Sequence, residues 1–560
     1  MRSHIDARNG MSTTDNNRFL RFWPECSFEK IGFSSKSAEQ AKISQKKWFP
    51  YNKGGEFRRW YGNNSYVVNW FNDGEEMKKC VAENYGSYSK ELRSEDKYFA
   101  EGISWSALSS GNISMRYSEP GYIFDSKGSK AFMRDKTNVF LILSYLNSCV
   151  VQHFLGILSP TLDYNNGNIE KLPYISTKND DDIIGLGIDA EEQSKADWDS
   201  FETSWDFKKH PLLRNVSTIS EAFTQWQAEC DDRFNQLKAN EEELNRIFID
   251  IYGLQDELTP EVEEKDVTVR KADLQRDIKS LLSYAVGCMF GRYSTYKDGL
   301  LFAGEPYSLQ AFVDKMNERP GTISAEELER AYRNEGIVVD EMFFPDADNV
   351  IPITDEEYLD DDIVSRLCAW LKAVYGADTL EANLDYIAKA LGNKGSTSRE
   401  IIRNYFLNDF FKDHCQTYSV TGSGKRPIYW LFDSGKQNGF KALVYLHRYT
   451  PDTIGNLRID YLHKMQRVYE SEINRMQDMM DHSGNAREVA AASKRKDKLA
   501  KQLKECREYD EKISHLALSR IELDLDDGVK VNYRKLQTAQ DGKFYEVLAD
   551  SKNIMVKEKK

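Results

Sequence analysis

The run Arg458-Ile459-Asp460-Tyr461-Leu462-His463-Lys464-Met465-Gln466-Arg467-Val468-Tyr469-Glu470-Ser471-Glu472-Ile473-Asn474-Arg475-Met476-Gln477-Asp478-Met479-Met480 places Leu462, Met465, Tyr469, Ile473, Met476 and Met480 at three- and four-residue spacing. That period puts them on one face of a helix. A second stripe follows at Leu499, Leu503, Cys506, Tyr509, Ile513 and Leu516, and His482-Ser483-Gly484-Asn485 between them supplies a turn. The two stripes predict an antiparallel helical hairpin whose arms are each ~35 Å long at about 1.5 Å per residue. On periodicity alone these side chains simply pack together.

Working back from the hairpin, Asp355 to Phe411, Arg270 to Phe290 and Ile219 to Leu254 carry the same helical period. Arg426 to Tyr449, with Tyr429, Trp430, Phe432, Phe440 and Tyr445, fits either a β-hairpin or a buried connection. Up to about Tyr174 the pattern changes to short aromatic runs between turn residues, such as Tyr66-Val67-Val68-Asn69-Trp70 and Gly121-Tyr122-Ile123-Phe124. One long helix, Asn138 to Leu158, closes this part; Asn147, Gln152 and His153 interrupt its apolar run, so it reads as a buried helix rather than a membrane span. The expected fold class is an α+β N-terminal domain followed by mainly α-helical domains and the antiparallel hairpin. The expected boundaries are 1–175 mixed, 176–196 a polar linker containing Gly185 and Gly187, 197–345 helical, 346–450 mainly helical, 451–524 the hairpin and 525–560 a tail.

A chain of 560 residues exceeds what one hydrophobic core organises. Its 40% hydrophobic and 12% aromatic content supplies packed cores despite 30% charged residues. The formal net charge of -14 excludes a uniformly basic nucleic-acid coat and leaves only local basic surfaces. The acidic runs Asp180-Asp181-Asp182, Glu241-Glu242-Glu243 and Asp360-Asp361-Asp362 lie outside the cation- and aromatic-rich stretch that ends near Arg134. Cys26, Cys80, Cys149, Cys230, Cys288, Cys368, Cys415 and Cys506 form no CxxC pair, which points away from a disulfide framework or zinc site. The polar start at Met1-Arg2-Ser3-His4 has no apolar signal core, and the expected location is the cytoplasm, with no membrane partner.

Amino-group methylation of a flipped base needs an Asp/Asn/Ser-Pro-Pro-aromatic loop, and no Pro-Pro dipeptide occurs in the chain. Gly422-Ser423-Gly424-Lys425 has Ser419 where a P-loop needs its first glycine and Arg426 in place of the magnesium-binding Ser/Thr, so it reads as a turn. Pro345-Asp346 and Pro451-Asp452 lack the following acidic-x-Lys element of a nuclease. His153 and His447 have no second ligand at helical spacing, and no nucleophile-elbow glycine motif occurs. No catalytic, cofactor-binding or metal-binding residue is assigned.

What remains is Trp48-Phe49-Pro50-Tyr51-Asn52-Lys53-Gly54-Gly55-Glu56-Phe57-Arg58-Arg59-Trp60-Tyr61, where cations, aromatics and flexible glycines interleave. Arg and Lys bond phosphates or guanine, Asn and Gln bond adenine, and paired glycines allow close backbone approach. On this chemistry the candidate DNA-binding residues are Lys53, Arg58, Arg59, Trp60, Asn112, Arg116, Tyr117, Lys127, Lys130, Asn165 and Asn168.

At these residues the chain resembles a known family. Thr14-Asp15-Asn16-Asn17-Arg18-Phe19 resembles the opening of the target-recognition region of type IIG restriction-modification enzymes and of the PglX family, the adenine-specific DNA methyltransferases of BREX phage-defence systems. The Trp48 to Tyr61 run, Pro160 to Pro173, Asp199 to Asp206, Tyr284 to Tyr293, Asn349 to Asp355, Arg426 to Phe432 and Leu525 to Tyr533 are similar to the same family, in order. The resemblance implies the C-terminal recognition and helical region of such an enzyme, read as truncated, split or frameshift-separated. It would bind double-stranded DNA at an asymmetric site but would not be catalytic alone. In the family S-adenosylmethionine belongs to a separate catalytic domain, whose residues have no counterparts in this chain. Implied partners are a separately encoded methyltransferase domain and other BREX proteins; the competing expectations are a complete enzyme with an unrecognised active site and a scaffold for those proteins without DNA reading.

Overall fold

The structure, a computed structural model, describes residues 1–107, 111–135, 137–159, 163–176, 180–316, 338–339, 342–392, 394–420 and 424–555. The chain divides into two compact units: Met1–Lys208 with Thr224–Ala272, and Lys209–Phe223 with Asp273–Lys560. The fold class is the expected one, mixed α+β at the start and mainly helical afterwards.

In the first unit, β1 (Ile5–Arg8), β2 (Leu20–Phe22), β3 (Trp48–Asn52), β4 (Tyr66–Asn69), β5 (Gly102–Trp105), β6 (Met115–Ser118), β7 (Ile123–Phe124) and β8 (Lys130–Met133) form two four-stranded sheets. One is antiparallel in the order β1-β8-β5-β6, with Ile5 opposite Met133 and Ile103 opposite both Ala131 and Tyr117. The other runs β2-β4-β3-β7, antiparallel except where β3 and β7 pair in parallel through Tyr51–Ile123 and Asn52–Phe124. Every residue of β3 and β4 is buried, so these strands read as continuous rather than alternating apolar runs. Tyr98, Phe124 and Phe132 meet edge to face and join the sheets.

The apolar segment expected as one helix is two, α1 (Val139–Asn147) and α2 (Cys149–Leu158), bent by 67°. Ser148 causes the break: it ends α1 in an extended conformation, and its hydroxyl accepts from the Val151 N–H to cap α2. Among the described residues no single helix is long and apolar enough to cross a membrane, and α1 is almost wholly buried in the core of the unit. After α3 (Asn166–Lys171) comes a second difference: the stretch read as a linker folds, from Asp180, into α4 (Asp180–Asp199). One of its two glycines, Gly187, serves packing, while Gly185 faces open space. A Cβ at Gly187 would sit 2.4 Å from Ser144 Oγ, so the close approach of α4 to α1 requires glycine there. The 34-residue α5 (Ile219–Tyr252) supplies Phe234, Leu237, Leu244 and Phe248 to the core of the first unit.

In the second unit the aromatic run around Trp430 resolves as a hairpin. Ile351–Pro352, Lys441–Tyr445 and Tyr429–Asp433 form an antiparallel sheet with Lys441–Tyr445 in the centre. Helices α6 (Leu274–Met289), α7 (Ile363–Tyr375), α8 (Leu380–Leu391), α9 (Ser398–Asn408) and α10 (Phe410–Thr417) accompany it. The predicted helical hairpin is α11 (His463–His482) and α12 (Ala486–Ser519). Leu462, Met465, Tyr469 and Met476 are buried with Leu499, Leu503, Cys506, Tyr509, Ile513 and Leu516, while Ile473 and Met480, toward the connecting turn, are half-buried. The described part of the tail is structured as well: Val529–Lys535 is helical, and Tyr533 packs edge-on to Trp430.

Candidate nucleic-acid interface

The Trp48 to Tyr61 run leaves β3, makes a loop, and returns beside β6. The return is pinned by backbone: the Trp60 N–H donates to Met115 O (2.9 Å) and the Tyr117 N–H to Trp60 O (2.7 Å). This places Arg58, Arg59 and Trp60 in the interior, at 8%, 7% and 1% exposure. Arg58 donates to Asp197 Oδ2 (2.8 Å), Ser194 O (3.0 Å), Tyr61 O (2.8 Å) and Thr268 O (3.2 Å). Arg59 pairs with Glu241 at 3.1 Å, and the Trp60 indole N–H donates to the same carboxylate at 2.7 Å. These groups face protein acceptors, so the expectation that they reach DNA places them where the fold uses them instead. Arg116 is buried too and donates to Arg58 O (3.1 Å); burial, helped by the neighbouring Arg58 charge, lowers its pKa to about 10. Lys130 is buried and donates to Ala100 O (2.7 Å) and Ser118 Oγ (2.9 Å); burial depresses its pKa to about 7. Tyr117 is half-buried and donates to Glu101 Oε1 at 2.5 Å.

The other candidates lie at the surface, and the loops that carry them meet. Because β3 and β7 run in parallel, the loops that follow them leave the same end of the sheet. Lys53 and Lys127 sit on those loops, Lys53 half-buried and 3.5 Å from Asp125, Lys127 exposed. Gly128 presses backbone to backbone against the first loop: a Cβ there would lie 2.5 Å from Asn52 O and 3.0 Å from Gly54 N. Ser106, just beyond β5, accepts from the Gly55 N–H (3.0 Å) and donates to Gly55 O (3.1 Å), and the Ala107 N–H donates to Lys127 O (2.9 Å). Tyr164 extends the contact, its N–H donating to Ala107 O (2.8 Å) and its hydroxyl to Gly111 O (3.0 Å) beside exposed Asn112. Exposed Asn165 caps α3 by accepting from the Asn168 N–H (3.1 Å), and Asn168 is half-buried in that first turn. Lys53, Lys127, Asn112 and Asn165 thus ride on one contiguous cluster of loops, with Asn168 beside it in α3, while Pro160, Thr161 and Leu162 of the same stretch lie outside the described residues.

Sequence reading missed the carboxylates that hold the buried cations. Asp197 accepts from Arg58, from the Arg270 guanidinium and from the Arg270 N–H (3.0 Å). Burial alone would raise its carboxyl, but Arg270 and Arg58 together outweigh that and hold it below its usual range. For Glu241 burial wins over Arg59, and its carboxyl is raised. Glu241 showed in the sequence only as part of an acidic run, and nothing local to it indicates a partner 182 positions away.

In the second unit Gly424–Lys425 pairs antiparallel with Ser419–Val420, and Lys425 reaches Asp550 at 2.5 Å; Gly422 and Ser423 lie outside the described residues. His447 is buried and stacks on Tyr445, and His153 stands 3.6 Å from Glu257.

No protein-family model matches the chain. It is similar along nearly its whole length to adenine-specific methyltransferases. One is the adenine-specific methyltransferase PglX of Lacticaseibacillus casei (strain Zhang), 43% identical over 542 residues, which are 95% of this chain. Another is the adenine-specific methyltransferase BrxX of Escherichia coli O9:H4 (strain HS), 35% identical over 559 residues, or 96% of this chain. The chain spans 42% of the length of each of these relatives.

Proposed function

We propose that this chain is the site-recognising part of a PglX-like, adenine-specific DNA methyltransferase of a BREX phage-defence system, and that it binds double-stranded DNA through the loop cluster of its first unit. The observation that carries this is the convergence of Lys53, Lys127, Asn112 and Asn165 on loops joined to one another by hydrogen bonds, with Asn168 beside them in the first turn of α3. Lysines there neutralise phosphates, and the asparagine side chains have the donor and acceptor pair that adenine presents in the major groove. Similarity to two adenine-specific methyltransferases supplies the class of reaction.

Methyl transfer in that class uses S-adenosylmethionine, and the groove beside the loop cluster does not fit it. This groove, of about 540 Å³, is lined by polar and charged residues, including Arg8, Asn9, Arg93, Glu95, Asp96 and Asn166. It has no aromatic wall on which an adenine ring would stack. In this reading the chain binds and orients DNA in the cytoplasm, and methyl transfer falls to sequence of the relatives outside the aligned region. A methyltransferase domain and other BREX proteins are its proposed partners.

The test is a Lys53→Ala, Lys127→Ala double variant titrated with duplex DNA of mixed sequence over a range of salt. Loss of two phosphate contacts weakens binding and lowers the slope of log K against log salt by about two. Wild-type affinity and slope in the variant would instead favour a protein-contact scaffold.

A further inference from the structure

The loop Lys53–Phe57 hangs between two fixed feet. The leading foot is the β3–β7 pairing, continued by the Asp125 N–H on Asn52 O (2.9 Å); within the loop itself Gly55 exchanges two hydrogen bonds with Ser106. The trailing foot is Arg58–Trp60, and it is unusual in two respects. Trp60 has φ +70°, a left-handed conformation that a bulky aromatic residue keeps only where its surroundings impose it. Its two preceding neighbours are arginines whose charges are buried against carboxylates from two different helices, Asp197 of α4 and Glu241 of α5. Buried ion pairs are often no more stabilising than apolar residues of the same volume, but in some proteins they select one arrangement over others. Here the arrangement is a backbone turn. Glu241 grips both the Arg59 guanidinium and the Trp60 indole, and Asp197 ties Arg58 to Arg270.

We propose that Asp197 and Glu241 are positioning residues for DNA recognition: they hold Arg58–Trp60 in its strained turn, so that the loop carrying Lys53 is presented in one conformation. The proposal rests on the DNA-binding reading above. The two carboxylates touch no nucleic acid; their effect passes through Arg58 and Arg59. A change at either site therefore loosens the loop and lowers affinity while leaving the number of phosphate contacts intact.

Asp197→Asn and Glu241→Gln keep the side-chain volume and an acceptor oxygen while removing the charge opposite the guanidinium, a smaller change than truncation to alanine. Hydrogen–deuterium exchange is compared for the peptide spanning 53–61 and for β5. Binding to mixed-sequence duplex DNA is measured alongside as a function of salt. The expected result is exchange about tenfold faster in 53–61 with β5 unchanged, and duplex affinity about tenfold weaker with an unaltered salt slope. Equal acceleration in both peptides, or none in 53–61, would overturn the proposal by reducing the carboxylates to general stabilisers. Local loosening with wild-type affinity overturns the positioning role. If the Lys53→Ala, Lys127→Ala variant also binds like wild type, it is the DNA-binding reading that falls.

Discussion

In the Arg58–Tyr61 segment, two guanidiniums lie inside the protein at 10% and 9% side-chain exposure, each against a carboxylate exposed by 1% and 3%. On the α11–α12 hairpin, Arg507 meets Glu470 at a similar distance, 2.7 Å, but with 60% and 48% of the two side chains exposed. The residue types and contact lengths match; the surroundings do not. In water an ion pair gains little, because solvent screens it and ordering two long side chains costs entropy. In the interior the pair must be complete, since one partner left alone is a buried, uncompensated charge. Periodicity builds the hairpin and an exposed pair such as Arg507–Glu470 adds little to it; in the first unit the charges take part in shaping the chain.

Four measurements break or sharpen that contrast. Asp197→Ala has the largest expected effect: it strands Arg58 and Arg270 and should cost about 3–5 kcal/mol in urea unfolding. A cost below about 1 kcal/mol would show that water or another carboxylate takes its place. Ile513→Ala in the hairpin, at 0% exposure, should cost about 2–5 kcal/mol through lost burial and the void it leaves. A null result there would mean that the hairpin seam is not a packed core.

The third is a pH effect in the first unit. Burial lifts the Glu191 carboxyl on α4 to about 7, against the pull of Lys195 and with the push of Glu119, Glu192 and Asp199. The folded form thus holds this proton more tightly than the unfolded chain. Its stabilising contribution is complete below the unfolded value near 4.5 and is lost as pH rises through about 7. Thermal unfolding of Glu191→Gln should accordingly fall less between about pH 5 and pH 7.5 than that of the wild type. Parallel curves for the two proteins would refute it. The smallest effect is expected for Arg507→Ala, about 0.2–1 kcal/mol and shrinking with salt; a loss as large as that of Asp197→Ala would erase the contrast.

The hairpin was legible because a helix repeats every 3.6 residues and both stripes lie within one local stretch. The α+β start was legible from its short aromatic runs and turn residues. Ser148 was harder to see, since a serine inside an apolar run marks a helix break only when its hydroxyl caps the next turn. The supposed linker failed for a related reason. Glycines and acids suggest a loop, but Gly187 lets α4 lie against α1, and three aspartates in the first turn suit the positive end of a helix.

At the candidate interface, the amino-acid sequence by itself determined the chemistry on offer: lysines, arginines, asparagines and aromatics concentrated before Arg134, with resemblance to a family that acts on adenine. Only the tertiary structure decided which of them face outward. Arg58 and Arg59 are indistinguishable from Lys53 by composition or spacing, and their partners Asp197 and Glu241 lie 139 and 182 positions along the chain. Whether a cation meets solvent or a buried carboxylate depends on contacts of that length. No local pattern encodes them, because the desolvation that separates the two outcomes arises only when distant helices close over the segment.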